Sequence, residues 1–380
     1  MRPLFNQFLL KSQNNKNIQI VAMLKTIFVP MLFLTLFLFL TSFRTYQANL
    51  PDPAFTSLNR GLPTGNPSNT GVEPMGNFQS INIPLNRIGK LFLIQARIGN
   101  QTGNFVFDTG ASSLVLNRNY FRNDLWEVEA NTGGITGSVE KLYQTRVARI
   151  DIADLYFENV LADGISLGHI ENRCGVKILG LFGLNLFRNL EIVIDVNRSE
   201  LQLHRIDRLG KRICADADTL NPTLISPIKE ADGVVFMPAT IGGKSVNFCL
   251  DTGAEANVLS SSSSRKVLNT VTITRGADLT GSGSGRMEVM YGIMNDFNLC
   301  GQQLHPMQTL IANLESLALA YKYPLRGVLG FDFFEKGVVC INLVKKELCM
   351  CLIVEEISDF DGKFDLNGTQ PGKNQLYKPN

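Results

Sequence analysis

The sequence predicts a mainly β protein built from two repeated lobes, on three observations. Asp-Thr-Gly-Ala occurs twice, at Asp108–Ala111 and Asp251–Ala254, each in the same frame. Ile98-Gly99, five residues and Phe105-Val106-Phe107 precede the first copy, and Val115-Leu116 follows; Ile241-Gly242, five residues and Phe248-Cys249-Leu250 precede the second, and Val258-Leu259 follows. The frame then continues downstream. Gly180-Leu181-Phe182-Gly183 leads to the run Leu190–Asp195, and Gly327-Val328-Leu329-Gly330 leads to Gly337–Asn342. Finally, the apolar runs are short, rich in β-branched and aromatic residues, and punctuated by glycine, which is the texture of strands; few stretches carry a sustained helical stripe. A short helix is expected after each apolar-Gly element.

Two repeats are too few for a solenoid but suffice for two lobes of one molecule. The aspartates lie 143 residues apart and the later glycines, Gly183 and Gly330, 147 apart. The second copy therefore gains four residues, mainly in the glycine-rich stretch 281–285. With 380 residues, 44% of them hydrophobic, the chain can bury two cores of ordinary size. A net charge of +2 without a long basic block gives no reason to expect a nucleic-acid partner.

Taken in order, residues 1–48 hold an apolar run, Ile27 to Phe43, interrupted only by Pro30, Thr35, Thr41 and Ser42. Lys11, Lys16 and Lys25 precede it and Arg44 follows. The run is short for a membrane span and ample for a signal-peptide core, and the lysines place its N-terminal side in the cytosol. Export is expected, as a cleaved signal or an uncleaved anchor, so the chain is secreted, periplasmic or membrane-anchored. Residues 49–77 are rich in Pro, Gly and Asn and read as a linker. Residues 78–204 form the first lobe, 205–229 a polar connection, 230–355 the second lobe, and 356–380 a polar tail without periodicity.

The chemistry follows from the paired turns. Two carboxylates brought face to face can activate a water molecule, one group taking a proton and another giving one. Two carboxyls within hydrogen-bonding distance cannot easily both ionise, so they share a proton and titrate as a pair. Asp108 and Asp251 are the candidate catalytic residues, with the roles of base and acid left open between them. Gly110 and Gly253 permit the tight turns and the close approach of backbone N–H groups. His169, His204 and His305 are scattered without metal-ligand spacing, so neither metal nor cofactor is expected. Six of the seven cysteines lie from Cys214 onward and read as small buried hydrophobes, with a bridge from Cys300 to Cys340 or Cys349 left open. Cys349 and Cys351 fall on one strand face and are not expected to bond each other.

The two Asp-Thr-Gly-Ala turns resemble the catalytic turns of the aspartic proteases, specifically the retropepsin-like branch, in which alanine follows the glycine. The resemblance covers most of residues 78–352. It implies a bilobal acid-protease fold of the pepsin and retropepsin kind, with two pseudo-symmetric β lobes and a long cleft between them. It also implies a monomeric endopeptidase acting on an extended polypeptide. By the same resemblance the hydroxyls of Thr109 and Thr252 cross-link the two loops and fix the spacing of the aspartates. Gly133, Gly134 and Gly137 in the first lobe, and Gly281 and Gly283 in the second, are candidate flap residues that would close over substrate by strand addition; a flexible hairpin tip is the plainer reading. Tyr143 and Tyr291 are expected further along the returning strands. Ala111 and Ala254 stand where pepsins usually carry a hydroxyl residue, so both dyad pKa values are expected above pepsin's, with a working range nearer neutral. The alternatives are a catalytically inactive pepsin-like module that binds peptides or a surface partner, and a one-lobe protease that must homodimerise.

Overall fold

The structure, a computed structural model, describes residues 72–353 apart from 123–125, 129–132, 135–136, 139–141, 215–219, 232 and 281–285. The apolar N-terminal run, almost all of the linker and the polar tail lie outside the described residues. Among the described residues, no helix is long and apolar enough to cross a membrane.

Strands dominate, as the glycine-punctuated apolar runs require. In the first repeat β1 (Leu91–Ile98) turns at Gly99 into β2 (Gln101–Asp108), a hairpin in register from Leu93↔Val106 to Ile98↔Gln101. There follow β3 (Leu114–Asn117), β4 (Leu142–Ile152), β5 (Leu155–Ile165), helix α1 (Gly168–Cys174) and β6 (Ile178–Gly183). β6 inserts between β2 and β3, parallel to the first with Gly183 opposite Asp108 and antiparallel to the second. Every residue of β6 is buried, which is why it reads as an unbroken apolar run rather than an alternating one. The sheet order is Asn86–Ile88, β1, β2, β6, β3, β5, β4, Trp126–Val128, and β4 also pairs back onto β1 through Arg97↔Asp151, curling the sheet toward a barrel.

β7 (Leu190–Asp195) and β8 (Glu200–Arg205) complete the first repeat. The second comprises β9 (Val234–Ile241), β10 (Lys244–Leu250), β11 (Asn257–Ser260), β12 (Val271–Thr280), β13 (Arg286–Met294) and β14 (Met307–Ala312). It continues with α2 (Glu315–Ala320), β15 (Gly327–Leu329), α3 (Phe331–Phe334), β16 (Gly337–Asn342) and β17 (Glu347–Leu352). Its sheet runs β9, β10, β15, β11, β14, β13, β12 in a similar succession, with Asn298–Leu299 and Gln302–Gln303 continuing beyond β9 and Lys229–Ala231 beside β9 in the place that Asn86–Ile88 takes beside β1. Each apolar-Gly element is followed by a short helical turn, Leu184–Phe187 in the first repeat and α3 in the second.

A third sheet joins the repeats in the order Ser80–Pro84, β8, β7, β16, β17, Leu224–Pro227, with β7 and β16 antiparallel at its centre (Ile192↔Ile341). Two segments thus fall differently from the linear division expected above. Ser80–Pro84 joins this shared sheet, and the polar connection 205–229 contributes an edge strand, Leu224–Pro227, in which Leu224 and Ser226 are buried while Ile225 and Pro227 face outward. A proline is tolerated there because an edge strand has a side that needs no N–H. The largest apolar core runs continuously from the first repeat into the second. Phe92 of β1 stacks on Phe331 of α3 at 5.6 Å, and Lys90 bonds the largely buried carboxyl of Asp332 at 2.9 Å.

Candidate active site

β2 ends on Asp108 and β10 one residue before Asp251, so each aspartate stands where a buried strand gives way to a turn. The turns close through Ala111 N–H to the Asp108 carbonyl (3.2 Å) and Ala254 N–H to the Asp251 carbonyl (3.1 Å). Each is also pinned to the apolar-Gly element of its own repeat: Leu184 N–H donates to the Ala111 carbonyl (3.3 Å), and Phe331 N–H to the Ala254 carbonyl (2.9 Å).

The threonines lock the two turns to each other. Thr109 Oγ1 donates to the Leu250 carbonyl (3.0 Å) and accepts from Thr252 N–H (3.0 Å). Thr252 Oγ1 donates to the Phe107 carbonyl (2.8 Å) and accepts from Thr109 N–H (3.0 Å). Both threonines are wholly buried, so water cannot take the place of these four bonds.

The glycines set the closeness of approach. A Cβ placed on Gly110 would lie 2.5 Å from Asp251 Cγ, and one on Gly253 would lie 2.6 Å from Asp108 Cγ. No side chain fits at either position, and each carboxyl consequently sits against the opposite turn. Asp108 Oδ1 accepts from Gly110 N–H (2.9 Å) and Ala111 N–H (3.1 Å), and Asp251 Oδ1 accepts from Gly253 N–H (2.9 Å). Asp108 Oδ2 is buried and receives no N–H or O–H, and each carboxyl packs against the glycine of the opposite turn. Two carboxylates have no donor between them, and a hydrogen bond within such a pair needs a proton on one member.

Electrostatics agree with the geometry. Burial, at 0% exposure for Asp108 and 2% for Asp251, raises both pKa values above the ordinary carboxylate range. For Asp251 the charge of Asp108 and the bond to it push further upward; for Asp108 the bond to Asp251 and the N–H groups of Gly110 and Ala111 pull back down. No hydroxyl contributes at Ala111 or Ala254, both of which are buried.

Three further residues complete the surroundings and had no local signal in the sequence. Tyr321, buried just beyond α2, donates its hydroxyl to the Gly110 carbonyl across the two repeats (3.3 Å) and packs edge-on against Phe236. Arg173 in α1 forms an ion pair with Glu255, the residue after Ala254. Each turn is thereby held by the helical segment of the other repeat. Carrying the 147-residue offset onward sets Tyr321 against Cys174, but a tyrosine matched to a cysteine gives no shared chemistry to notice.

Of the flap candidates, Gly133–Gly134 and Gly137–Ser138 form a two-stranded antiparallel ribbon (Gly134↔Gly137) that lies beside α2 of the second repeat. Gly281 and Gly283 lie outside the described residues. Tyr143 and Tyr291 fall on the returning strands β4 and β13. Among the described residues no group of three His, Cys, Asp or Glu side chains could hold a metal ion.

No curated protein matches the chain. A family model described as aspartyl protease matches residues 237–333, the stretch that runs from β9 through the Asp251 turn to α3; the first turn lies outside it. The match supports an aspartic protease family, and with it peptidase chemistry, for this mainly β chain.

Proposed function

We propose that the chain is an aspartic endopeptidase in which Asp108 and Asp251 hold one proton and one water molecule between them. The observation that carries this reading is the orphaned, buried Asp108 Oδ2 beside a second carboxyl, with both turns clamped by the reciprocal threonine bonds. The matching strand succession around each turn supports a bilobal, pseudo-symmetric molecule that supplies one aspartate from each lobe and works as a monomer.

The two roles are interchangeable in such a pair, because backbone N–H groups favour the anion on both turns, Gly110 and Ala111 at Asp108 and Gly253 and Ala254 at Asp251; the cycle is written with the proton starting on Asp251. Asp108 then draws a proton from the water as general base. Asp251 donates to the scissile carbonyl oxygen, and the proton captured by Asp108 goes on to the leaving amine. Thr109, Gly110, Thr252 and Gly253 hold the spacing. The ribbon at Gly133, Gly134 and Gly137 covers an extended polypeptide, with Gly281 and Gly283 its counterparts in the second lobe. Export, by a signal or an anchor within residues 1–48, belongs to the same proposal and rests on the apolar run and its flanking lysines.

Cleavage profiling of a peptide library tests the reading. Wild type cleaves, a statine-type transition-state mimic blocks it, and Asp108→Asn and Asp251→Asn each abolish it. An inactive peptide-binding module would instead bind the library without cleaving it and keep its affinity in both variants.

A further inference from the structure

Away from the paired turns, two thiols face one another in the shared sheet. Cys340 on β16 and Cys349 on β17 are direct partners in antiparallel register, flanked by Val339↔Met350 and Ile341↔Leu348. Direct partners in such a ladder have Cα atoms about 4.5–5.5 Å apart, within the ~4.4–6.8 Å that a disulfide spans. Val339, Ile341, Leu348 and Met350 all point into the core, which leaves Cys340 and Cys349 together on the opposite face. There the two cysteines stand directly opposite one another, Cys340 buried and Cys349 partly exposed. The neighbouring Cys340 thiol is the main influence lowering the Cys349 thiol; burial and Glu191 oppose it, and Arg212 and Lys345 add to it.

The other candidates for pairing are engaged or elsewhere. Cys351 stands opposite Val338 and donates its thiol to the Asn221 carbonyl (3.3 Å). Cys300 is exposed in the hairpin between Asn298–Leu299 and Gln302–Gln303, which belongs to the sheet of the second repeat rather than the shared one. A bridge from Cys300, left open by the sequence, would have to reach from that sheet to the shared one, whereas Cys340 and Cys349 face each other within one hairpin.

We propose that Cys340 and Cys349 form an intrachain disulfide on encountering a thiol-oxidising partner or a low-molecular-weight disulfide, stapling the C-terminal hairpin beside the seam where β7 and β16 join the repeats. The Cys349 thiolate attacks one sulfur of the external disulfide and expels a thiolate, leaving a mixed disulfide on the protein. Cys340 then loses its proton to solvent and attacks the Cys349 sulfur, expelling the second thiolate. The protein gives up two electrons and two protons, and the external disulfide is reduced to two thiols.

The test uses the full chain incubated with glutathione disulfide, then alkylated and digested with trypsin. Lys345 and Lys346 lie between the two cysteines, so cleavage puts Cys340 on the peptide 337–345 and Cys349 on 347–363. Because Cys351 shares the second peptide, the Cys351→Ser variant is run in parallel. The expected result is a linked pair of these peptides, lighter by two hydrogens than their sum. It persists in Cys351→Ser, is lost in Cys340→Ser and vanishes on reduction. Recovery of Cys340 as the alkylated thiol while the exposed Cys300 has already reacted would overturn the proposal, as would a Cys349 that stops at the glutathione mixed disulfide. Neither readout depends on hydrolysis, so failure here leaves the endopeptidase reading untouched.

Discussion

Replacing Thr109 by valine keeps the shape of the side chain and removes its hydroxyl. Two bonds are lost, from Thr252 N–H to Thr109 Oγ1 and from Thr109 Oγ1 to the Leu250 carbonyl, both 3.0 Å. Thr252 and Leu250 are fully buried, so water cannot replace the hydroxyl. An orphaned buried donor or acceptor costs about 1–3 kcal/mol, giving about 2–6 kcal/mol for the pair. That is a large part of the roughly 5–15 kcal/mol by which a folded domain is usually stable. Thr109→Ser keeps the hydroxyl and loses one methyl group, at a cost of about 1 kcal/mol. Thr252→Val removes the equivalent two bonds, at Thr109 N–H and the Phe107 carbonyl, and should cost a similar amount. Urea titration measures all three, with a lowered midpoint and an unchanged slope for each valine variant. A Thr109→Val protein within about 0.5 kcal/mol of wild type, the range of an ordinary surface change, would refute the claim that the hydroxyls clamp the turns.

Other consequences follow from the same geometry. Gly110→Ala puts a methyl 2.5 Å from Asp251 Cγ and forces the carboxyls apart; a displacement of about 1 Å should cost on the order of 100-fold in kcat/KM, and a variant hydrolysing peptides at the wild-type rate would contradict the packing. Tyr321→Phe loses the 3.3 Å bond to the Gly110 carbonyl while keeping the ring against Phe236, so stability should fall by about 0.5–1.5 kcal/mol with a modest drop in kcat, measured by urea titration and steady-state kinetics. Both dyad pKa values are raised, so activity, which requires the singly protonated pair, should peak at mildly acidic to neutral pH; a maximum in strongly acid solution would count against the assigned burial and the missing hydroxyls. A carboxyl whose folded pKa is raised stabilises most below its unfolded value, about 3.9, and that contribution is lost as pH rises through the folded value. Asp251→Asn should therefore melt higher than wild type at neutral pH while losing hydrolysis, and thermal melts across the pH range will show whether the gap closes on acidification.

Much of this architecture could be read from the chain because the decisive features are local and duplicated. β6, which ends in Gly183, and β15, which Gly330 follows, announce themselves as unbroken apolar runs closed by glycine, since each is enclosed between neighbouring strands and has no wet face to mark with a polar residue. The turns at Asp108 and Asp251 carry their own chemistry in four consecutive residues. What escaped notice is decided by contacts between distant segments. Ser80–Pro84 and Leu224–Pro227 are short edge strands whose alternation fits many partners, and only the assembled sheet selects β8 and β17. Tyr321 and the Arg173–Glu255 pair act across the repeats, where neither periodicity nor spacing reports a neighbour. The cysteine pairing turned on register: Cys340 and Cys349 meet because the turn between β16 and β17 sets them opposite, which a list of cysteine positions does not reveal.

One proton held in common by Asp108 and Asp251 is the centre of the proposed mechanism, and its most direct measurement is the carbon-13 NMR titration of the two aspartate carboxyl signals. In wild type they should move together in two steps, the later one above the ordinary carboxylate range, with a single proton retained between the steps. In Asp108→Asn or Asp251→Asn the remaining carboxyl should titrate in one step. Two wild-type signals that titrate independently near pH 4, each unaffected by amidation of the other, would contradict the account.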